Sequence, residues 1–80
     1  MSDWKQAAIE RALAAFRDAR QLRPMGAHVL RLDADEAIVR VMYMTDRIPP
    51  DRAWFAIPRD GSAARELTYD DVAALETPWR

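Results

Sequence analysis

Few residues in this chain have types that could perform nucleophilic, acid–base or metal chemistry. His28 is the only histidine, Ser2 and Ser62 are the only serines, and cysteine is absent. His28 falls in an alternating stretch that predicts a strand, and each serine falls at a terminus or a turn, so no Ser/His/Asp or Cys/His set can be assembled. A structural zinc site needs several Cys or His ligands. We therefore expect a protein that is not an enzyme and that holds no metal and no cofactor.

Carboxylates cluster in two short segments, where they could in principle bind a divalent cation. The clusters comprise Asp33, Asp35 and Glu36, and Asp70 and Asp71. Neither follows the twelve-residue calcium loop with its central glycine and terminal glutamate. The two glycines, Gly26 and Gly61, are too few for a loop that cradles phosphate. Turn and helix-capping roles are therefore the better interpretation of both acidic clusters.

Apolar side chains on both faces of a predicted sheet are the most informative feature. Side chains alternate between the two faces of a strand, so the neighbours Trp54 and Phe55 must point in opposite directions. Residues 37–45 pose the same problem, because Val39 and Val41 alternate with Ile38 and Met42. Both faces need a cover, which must come from the chain itself or from a partner.

The order of elements predicts an α+β two-layer sandwich in one domain, residues 1–80. Helical periodicity covers residues 3–23, with Asp3 as N-cap, Gln6 able to complete a capping box, and Pro24 as terminator. Antiparallel strands are expected at residues 27–33, 37–45 and 52–58, and a short fourth edge strand at 63–67 is left open. Thr68 is the predicted N-cap of a short C-terminal helix that Pro78 should end near residue 76 or 77.

The long helix is expected to cover one face, and the other face is the candidate site. The covered face would carry Leu30, Leu32, Val39, Val41, Tyr43, Phe55 and Ile57. The second face would carry Val29, Arg31, Ile38, Arg40, Met42, Met44, Trp54 and Ala56. Three covers for the second face are open: the C-terminal helix through Val72, Leu75 and Trp79, a second copy of the chain, or a different partner.

Composition limits the class of protein. Half of the 80 residues are hydrophobic and 31 % are charged, which is typical of a globular domain. A secretory signal and an apolar run of about 20 residues are both missing, and with the lack of cysteine this favours the cytoplasm. Eleven arginines stand against one lysine, as in GC-rich bacterial genomes. Residues 1–32 carry six bases and three acids (+3), and residues 33–80 carry six bases and ten acids (−4).

The leading hypothesis is a small non-catalytic protein-binding module of the adaptor or inhibitor type, bacterial or phage-encoded. It would act as a homodimer or bind a larger protein, with no membrane and no small-molecule substrate. Methionine and tryptophan are enriched at interface cores, so the predicted partner-binding residues are Arg31, Arg40, Met42, Met44 and Trp54. The alternative is nucleic-acid binding by the basic helix and the Arg-bearing face, which the net charge of −1 disfavours.

Overall fold

A computed structural model describes residues 3–46 and 50–76 of the chain. It contains helix α1 (Trp4–Arg20), strands β1 (Pro24–Leu32), β2 (Glu36–Tyr43), β3 (Asp51–Pro58) and β4 (Arg65–Leu67), and helix α2 (Tyr69–Glu76). The four strands form one antiparallel sheet in the order β1-β2-β3-β4. The predicted α+β class is confirmed, and the residues at 63–67 that were left open contain a strand of three residues.

Helix α1 begins where its N-cap was predicted and ends three residues earlier than expected. The Asp3 side chain accepts a hydrogen bond from the Gln6 backbone N–H at 3.1 Å. The Gln6 side chain donates to Glu10 instead of completing a capping box. Gln21 adopts a left-handed conformation with φ of 55°, which ends the helix before Pro24 is reached.

The main core lies between α1 and the first face of the sheet. Ala8, Ala12 and Phe16 are the buried residues of α1, and the small alanines let the helix approach the strands closely. They pack against buried residues of β2 and β3, which are Ala37, Val39, Val41, Tyr43, Ala53, Phe55 and Ile57. The rings of Phe16 and Tyr43 lie 4.9 Å apart between centroids. Helix α1 therefore covers the β2 and β3 residues of this face, as predicted.

Strand β1 departs from the predicted alternation in its middle. Val29 lies opposite Val39 and packs against the α1 core, whereas Leu30 packs on the opposite side of the sheet, so both were assigned to the wrong face. The register shifts between Val29 and Arg31, after which Arg31 and Leu32 lie on their predicted faces. A bulge adds one residue to a strand, so the side chains before it lie on the opposite faces from those that strict alternation assigns. A prediction from alternation alone therefore misplaces these residues.

Helix α2 lies on the second face of the sheet. The Asp71 carboxylate accepts from the Thr68 backbone N–H at 2.9 Å and from its hydroxyl at 3.0 Å, which closes a capping box. These hydrogen bonds lower the pKa of Asp71 below its ordinary value. Leu67 and Val72 share the second core cluster, as a hydrophobic staple requires. The predicted contacts of Pro78 and Trp79 lie outside the described residues.

Candidate functional site

Pairing of the strands places the second-face residues in cross-strand rows. His28, Arg40, Trp54 and Leu67 form one row across all four strands. Gly26, Met42 and Arg52 form the next row toward the end where β1 begins. Residues directly opposite each other in antiparallel strands share a face, so these rows define the surface. Four of the five predicted partner-binding residues belong to the strands of this face, and Met44 directly follows β2.

Part of this face is covered by α2. Val72 is buried against Ile38 and Ala56, and the surrounding residues are Leu30, Trp54, Leu67 and Leu75. The Trp54 ring also contacts Tyr69, the first residue of α2, at 5.8 Å between centroids. The chain therefore covers the part of this face that carries Leu30, Ile38 and Ala56 by itself, through Val72 and Leu75, which is one of the three alternatives expected.

A buried carboxylate fixes the end of α2 to the sheet. Glu76 keeps only 4 % of its side chain exposed, and its two oxygens have different partners. Arg40 Nη1 lies 2.8 Å from Oε1, and Trp54 Nε1 donates to Oε2 at 2.5 Å. A charge removed from water must be paired and hydrogen-bonded to be tolerated. Arg40 and Trp54 are therefore engaged within the chain, where they hold α2.

One nitrogen of the Arg40 guanidinium has no hydrogen-bond partner in this arrangement. Its Nε atom is buried and has no hydrogen-bond partner within residues 3–46 and 50–76. The nearby Arg52 guanidinium reaches Glu76 only at 3.9 Å. Two cations thus surround one carboxylate, so Glu76 is held strongly and α2 has a defined position. Arg40 keeps 23 % of its side chain exposed, but its Nη1 and the Trp54 Nε1 are both engaged by Glu76.

The other predicted residues lie away from α2. Met42 lines a shallow groove of about 290 Å³ together with Met25, Gly26, Ala27 and His28. Met44, just beyond β2, is 50 % exposed. Arg31 lies near the far end of β1, where it pairs with Asp33 at 2.8 Å and with Glu36 at 3.5 Å. The five predicted residues are therefore divided among three places, and their role in partner binding stays a prediction.

Sequence reasoning missed Met25, whose exposed fraction of 59 % is the largest of any described large hydrophobic residue. The first strand was expected to begin at residue 27, but it begins at Pro24. A proline is acceptable as the first residue of an edge strand because the missing N–H need not join a ladder. That rule is the signal that could have placed Met25 and Gly26 on the strand.

Ser62, Asp60 and Arg11 make polar contacts at the turn that follows β3. The Ser62 hydroxyl donates to Asp60 at 2.6 Å, and this bond with that of the Ser62 backbone N–H lowers the pKa of Asp60. A second groove, of about 550 Å³, runs between α1 and residues 61–64 and is lined mainly by alanines. Arg11 at this groove already donates to the carbonyls of Pro58 and Ser62. Across residues 3–46 and 50–76, no three His, Cys, Asp or Glu side chains are grouped to hold a metal ion.

Comparison with protein family models, with curated proteins and with solved structures gives no match. Neither helix in the described part of the chain is long and apolar enough to cross a membrane. Function must therefore be inferred from the geometry of this chain itself.

Proposed function

We propose that this protein is a small non-catalytic protein-binding module that receives a partner polypeptide along the free edge of β1. The observation that carries this proposal is the distribution of exposed apolar side chains. Among the described residues, five large hydrophobics are exposed, and four of them lie on or beside β1 or at the adjoining end of β2: Leu22, Met25, Leu32 and Met44. Exposed apolar groups concentrated along one edge are typical of an interaction surface.

The backbone of β1 supports the same proposal. β1 has nine residues and pairs with β2 on one side only, so its other side presents unpaired N–H and C=O groups. None of its nine residues is buried. A strand of a partner can add to such an edge, with main-chain hydrogen bonds giving affinity and side-chain pockets giving specificity.

The groove beside this edge provides an adaptable apolar contact. Met25 and Met42 form its walls around Gly26, whose missing side chain leaves the floor open. Methionine side chains are flexible and polarizable, so they adjust to the shape of an apolar group. In this proposal Met42 and Met44 remain partner-binding residues, as the sequence predicted. Arg31, the third retained residue, lies near the far end of the same edge. A composition rich in arginine and free of cysteine supports a cytoplasmic bacterial or phage protein.

The proposal is tested by affinity purification from cells of the source organism with three forms of the chain. The wild type, Gly26→Lys and Gly26→Ala are compared, because a Cβ at Gly26 would meet no atom within 4 Å and neither change should disturb the fold. Proteins retained by the wild type and Gly26→Ala but lost with Gly26→Lys are the expected result. Partners that Gly26→Lys retains unchanged would contradict it, as would retention of nucleic acid alone that disappears at raised salt.

A further inference from the structure

We infer that the polypeptide received by the β1 edge carries an acidic side chain that pairs with Arg52 of β3. The same segment carries an apolar side chain, two residues away, that enters the groove lined by Met25 and Met42. This inference rests on the proposed function, because it specifies the chemistry of the partner at the same surface. Arg52 is not among the partner-binding residues that the sequence predicts.

Strand pairing places Arg52 beside the groove. Met42 of β2 lies opposite Gly26 of β1 on one side and opposite Arg52 of β3 on the other. Residues directly opposite each other in antiparallel strands point to the same face, so all three belong to the second face of the sheet. Met42 and Gly26 both line the groove. An apolar group bound in the groove therefore lies next to the Arg52 side chain.

Arg52 is the weakly paired member of a cluster of three charges. Its side chain is 48 % exposed, and its Nη1 lies 3.9 Å from Oε1 of Glu76. The same oxygen lies 2.8 Å from Nη1 of Arg40, so Glu76 is already engaged. No other carboxylate in the described part of the chain lies within 4.0 Å of the Arg52 guanidinium. Asp51, its neighbour in sequence, lies opposite the buried Tyr43 and so points to the first face.

The cluster of Arg40, Arg52 and Glu76 has two positive charges and one negative charge. Arg52 is the more exposed of the two cations, so the excess positive charge is accessible there. A carboxylate from a partner gives the cluster equal numbers of both charges. Guanidinium and carboxylate groups match in shape and form charge-assisted hydrogen bonds that are stronger than neutral ones. The surface beside the groove is therefore complementary to an acidic side chain.

The other exposed arginines of the second face lie away from the groove. Arg31 already pairs with two carboxylates near the far end of β1. Arg65 lies opposite Ala56 on β4, at the other edge of the sheet, where it interacts electrostatically with Asp71 of α2. Arg52 thus combines weak pairing with a position beside the groove.

The geometry of an added strand determines the spacing of the two partner side chains. Side chains two residues apart along a strand point to the same face. A Cβ built on Gly26 meets no atom within 4 Å, so a partner side chain can cross β1 there to reach Met42. Arg52 lies three strand spacings from the added strand, about 14 Å. Extended arginine and glutamate side chains, joined by a hydrogen bond, span this distance, which favours glutamate over the shorter aspartate.

An acidic polypeptide fits this surface better than a nucleic acid does. A nucleic acid is bound by several cations along its phosphate backbone. The groove beside Arg52 is instead lined mainly by Met25, Met42, Gly26 and Ala27, and the whole chain has a net charge of −1. An apolar contact beside one accessible guanidinium is suited to two side chains of a peptide.

Selection from a displayed library of random short peptides, with the full chain as bait, tests the inference. The wild type should enrich peptides in which glutamate lies two residues from an apolar residue. Arg52→Gln should bind the enriched peptides about fivefold more weakly, because one exposed ion pair is lost. Arg52→Glu should enrich lysine or arginine at the position of the glutamate, since it reverses the charge that the partner meets.

Arg65→Glu is the matched control. It makes the same change of charge on the same face but away from the groove, so it should keep the preference for glutamate. Circular dichroism melting checks that each variant is folded. If Arg52→Glu does not fold beside Glu76, the neutral Arg52→Gln still decides the outcome.

Several results would overturn the inference. These are enriched peptides without an acidic preference, an acidic preference that Arg52→Gln leaves unchanged, and one that Arg65→Glu removes as fully as Arg52→Glu does. Retention of nucleic acid in place of peptides, lost at raised salt, would overturn it as well.

The failures of the two proposals can be told apart. If the enriched peptides are apolar without an acidic preference, and their binding slows amide exchange of residues 26–29, the proposed function stands and the acidic partner is wrong. If no peptide is enriched, the acidic-partner inference is wrong, and the affinity purification alone decides the proposed function.

Discussion

The two edges of the sheet are built differently, although both consist of a strand with one free side. β4 has three residues and β1 has nine. Glu66 of β4 forms two hydrogen bonds with Arg20 of α1, at 2.9 and 2.6 Å, and this contact raises the pKa of Arg20. On the other face, Leu67 packs beside Val72 of α2. The β4 edge is therefore short and attached to both helices.

The β1 edge also packs on the helices, through Ala27 and Val29 in the α1 core and Leu30 in the α2 cluster, but it carries most of the exposed apolar side chains. Met25 and Leu32 project from it, and its Arg31 pairs with Asp33 and Glu36, which are close in sequence. Proteins protect edges by shortening them, by charging them or by covering them. The β4 edge shows two of these devices, whereas β1 has mainly its bulges. This difference indicates that changes near β4 should alter the stability of the monomer, and changes along β1 should alter association.

The largest expected effect is at Glu76, whose contacts with Arg40 and Trp54 hold α2 on the second face of the sheet. Glu76→Gln removes the charge that Arg40 and Trp54 share, and leaves Arg40 partly buried beside Arg52. We expect a loss of about 2–3 kcal/mol in the free energy of unfolding, since removal of one partner from a buried pair leaves the other unpaired. Urea denaturation at a concentration where the wild type is monomeric measures it. An unchanged midpoint would show that Glu76 does not hold α2.

A smaller loss is expected from the other attachment of β4. Glu66→Gln weakens the bidentate contact with Arg20, and both side chains are about one third exposed. Because exposed ion pairs contribute little, the loss should be about 0.5–1 kcal/mol and should shrink as salt is added. The same urea series with and without about 0.5 M salt provides the measurement, since the Debye length at that ionic strength is only a few ångström. A loss larger than that of Glu76→Gln would reverse the ranking of the two attachments.

A pH-dependent contribution is expected at the start of α2. The lowered pKa of Asp71 comes from hydrogen bonds of Thr68 to its ionised carboxylate. The folded state therefore binds this proton more weakly than the unfolded state, and the stabilisation is full above the ordinary pKa of 3.8 and is lost as pH falls through the lowered value. Asp71→Asn should flatten the acid side of the stability profile, measured by melting from pH 6 to pH 2.

The neighbouring Asp70 provides the matched control for this prediction. Asp70 is exposed and lies in the same first turn of α2. Asp70→Asn removes one carboxylate from the turn without touching the Thr68 contact, so it should leave more of the acid-side slope in place than Asp71→Asn does. Equal profiles for the two variants would show that the capping box contributes nothing specific.

The smallest effect on monomer stability is expected at the β1 edge itself. Gly26→Lys adds a side chain where no atom lies within 4 Å of the new Cβ. Its effect on the unfolding free energy of the monomer should stay within about 0.5 kcal/mol, as for most surface substitutions. Loss of association with an unchanged melting temperature is the signature expected, and it separates this edge from β4. A strongly destabilised monomer would show that Gly26 serves the fold.

Local patterns in the sequence were sufficient for much of the fold. Asp3, the apolar periodicity up to Phe16, and the Thr68–Asp71 pair are short-range features, and they predicted both helix starts and the cover of the first face. The alternation in β2 and β3 predicted correctly which residues α1 would bury. These features depend on neighbours a few residues apart, so one sequence is enough to identify them.

The candidate site was harder to predict because its contacts are long-range. Glu76 is 36 residues from Arg40 and 22 from Trp54, and no local period connects them. The bulge between Val29 and Arg31 reversed the facing of Val29 and Leu30, and the early start of β1 placed Met25 outside the expected strand. Apolar residues on two faces could be recognised from the sequence, but which part α2 covers depends on the tertiary structure.

Amide hydrogen exchange followed by mass spectrometry, on the chain alone and on the chain with the partner that affinity purification retains, tests the account most directly. It compares the two edges in one sample: peptides that span residues 26–29 of β1 and peptides that span residues 65–67 of β4. The account predicts that exchange along β1 slows when the partner is bound, because free N–H groups of this edge become hydrogen-bonded to it, while exchange along β4 does not change. Exchange along β1 that the partner leaves unchanged, or slowing confined to β4 and α2, would contradict it.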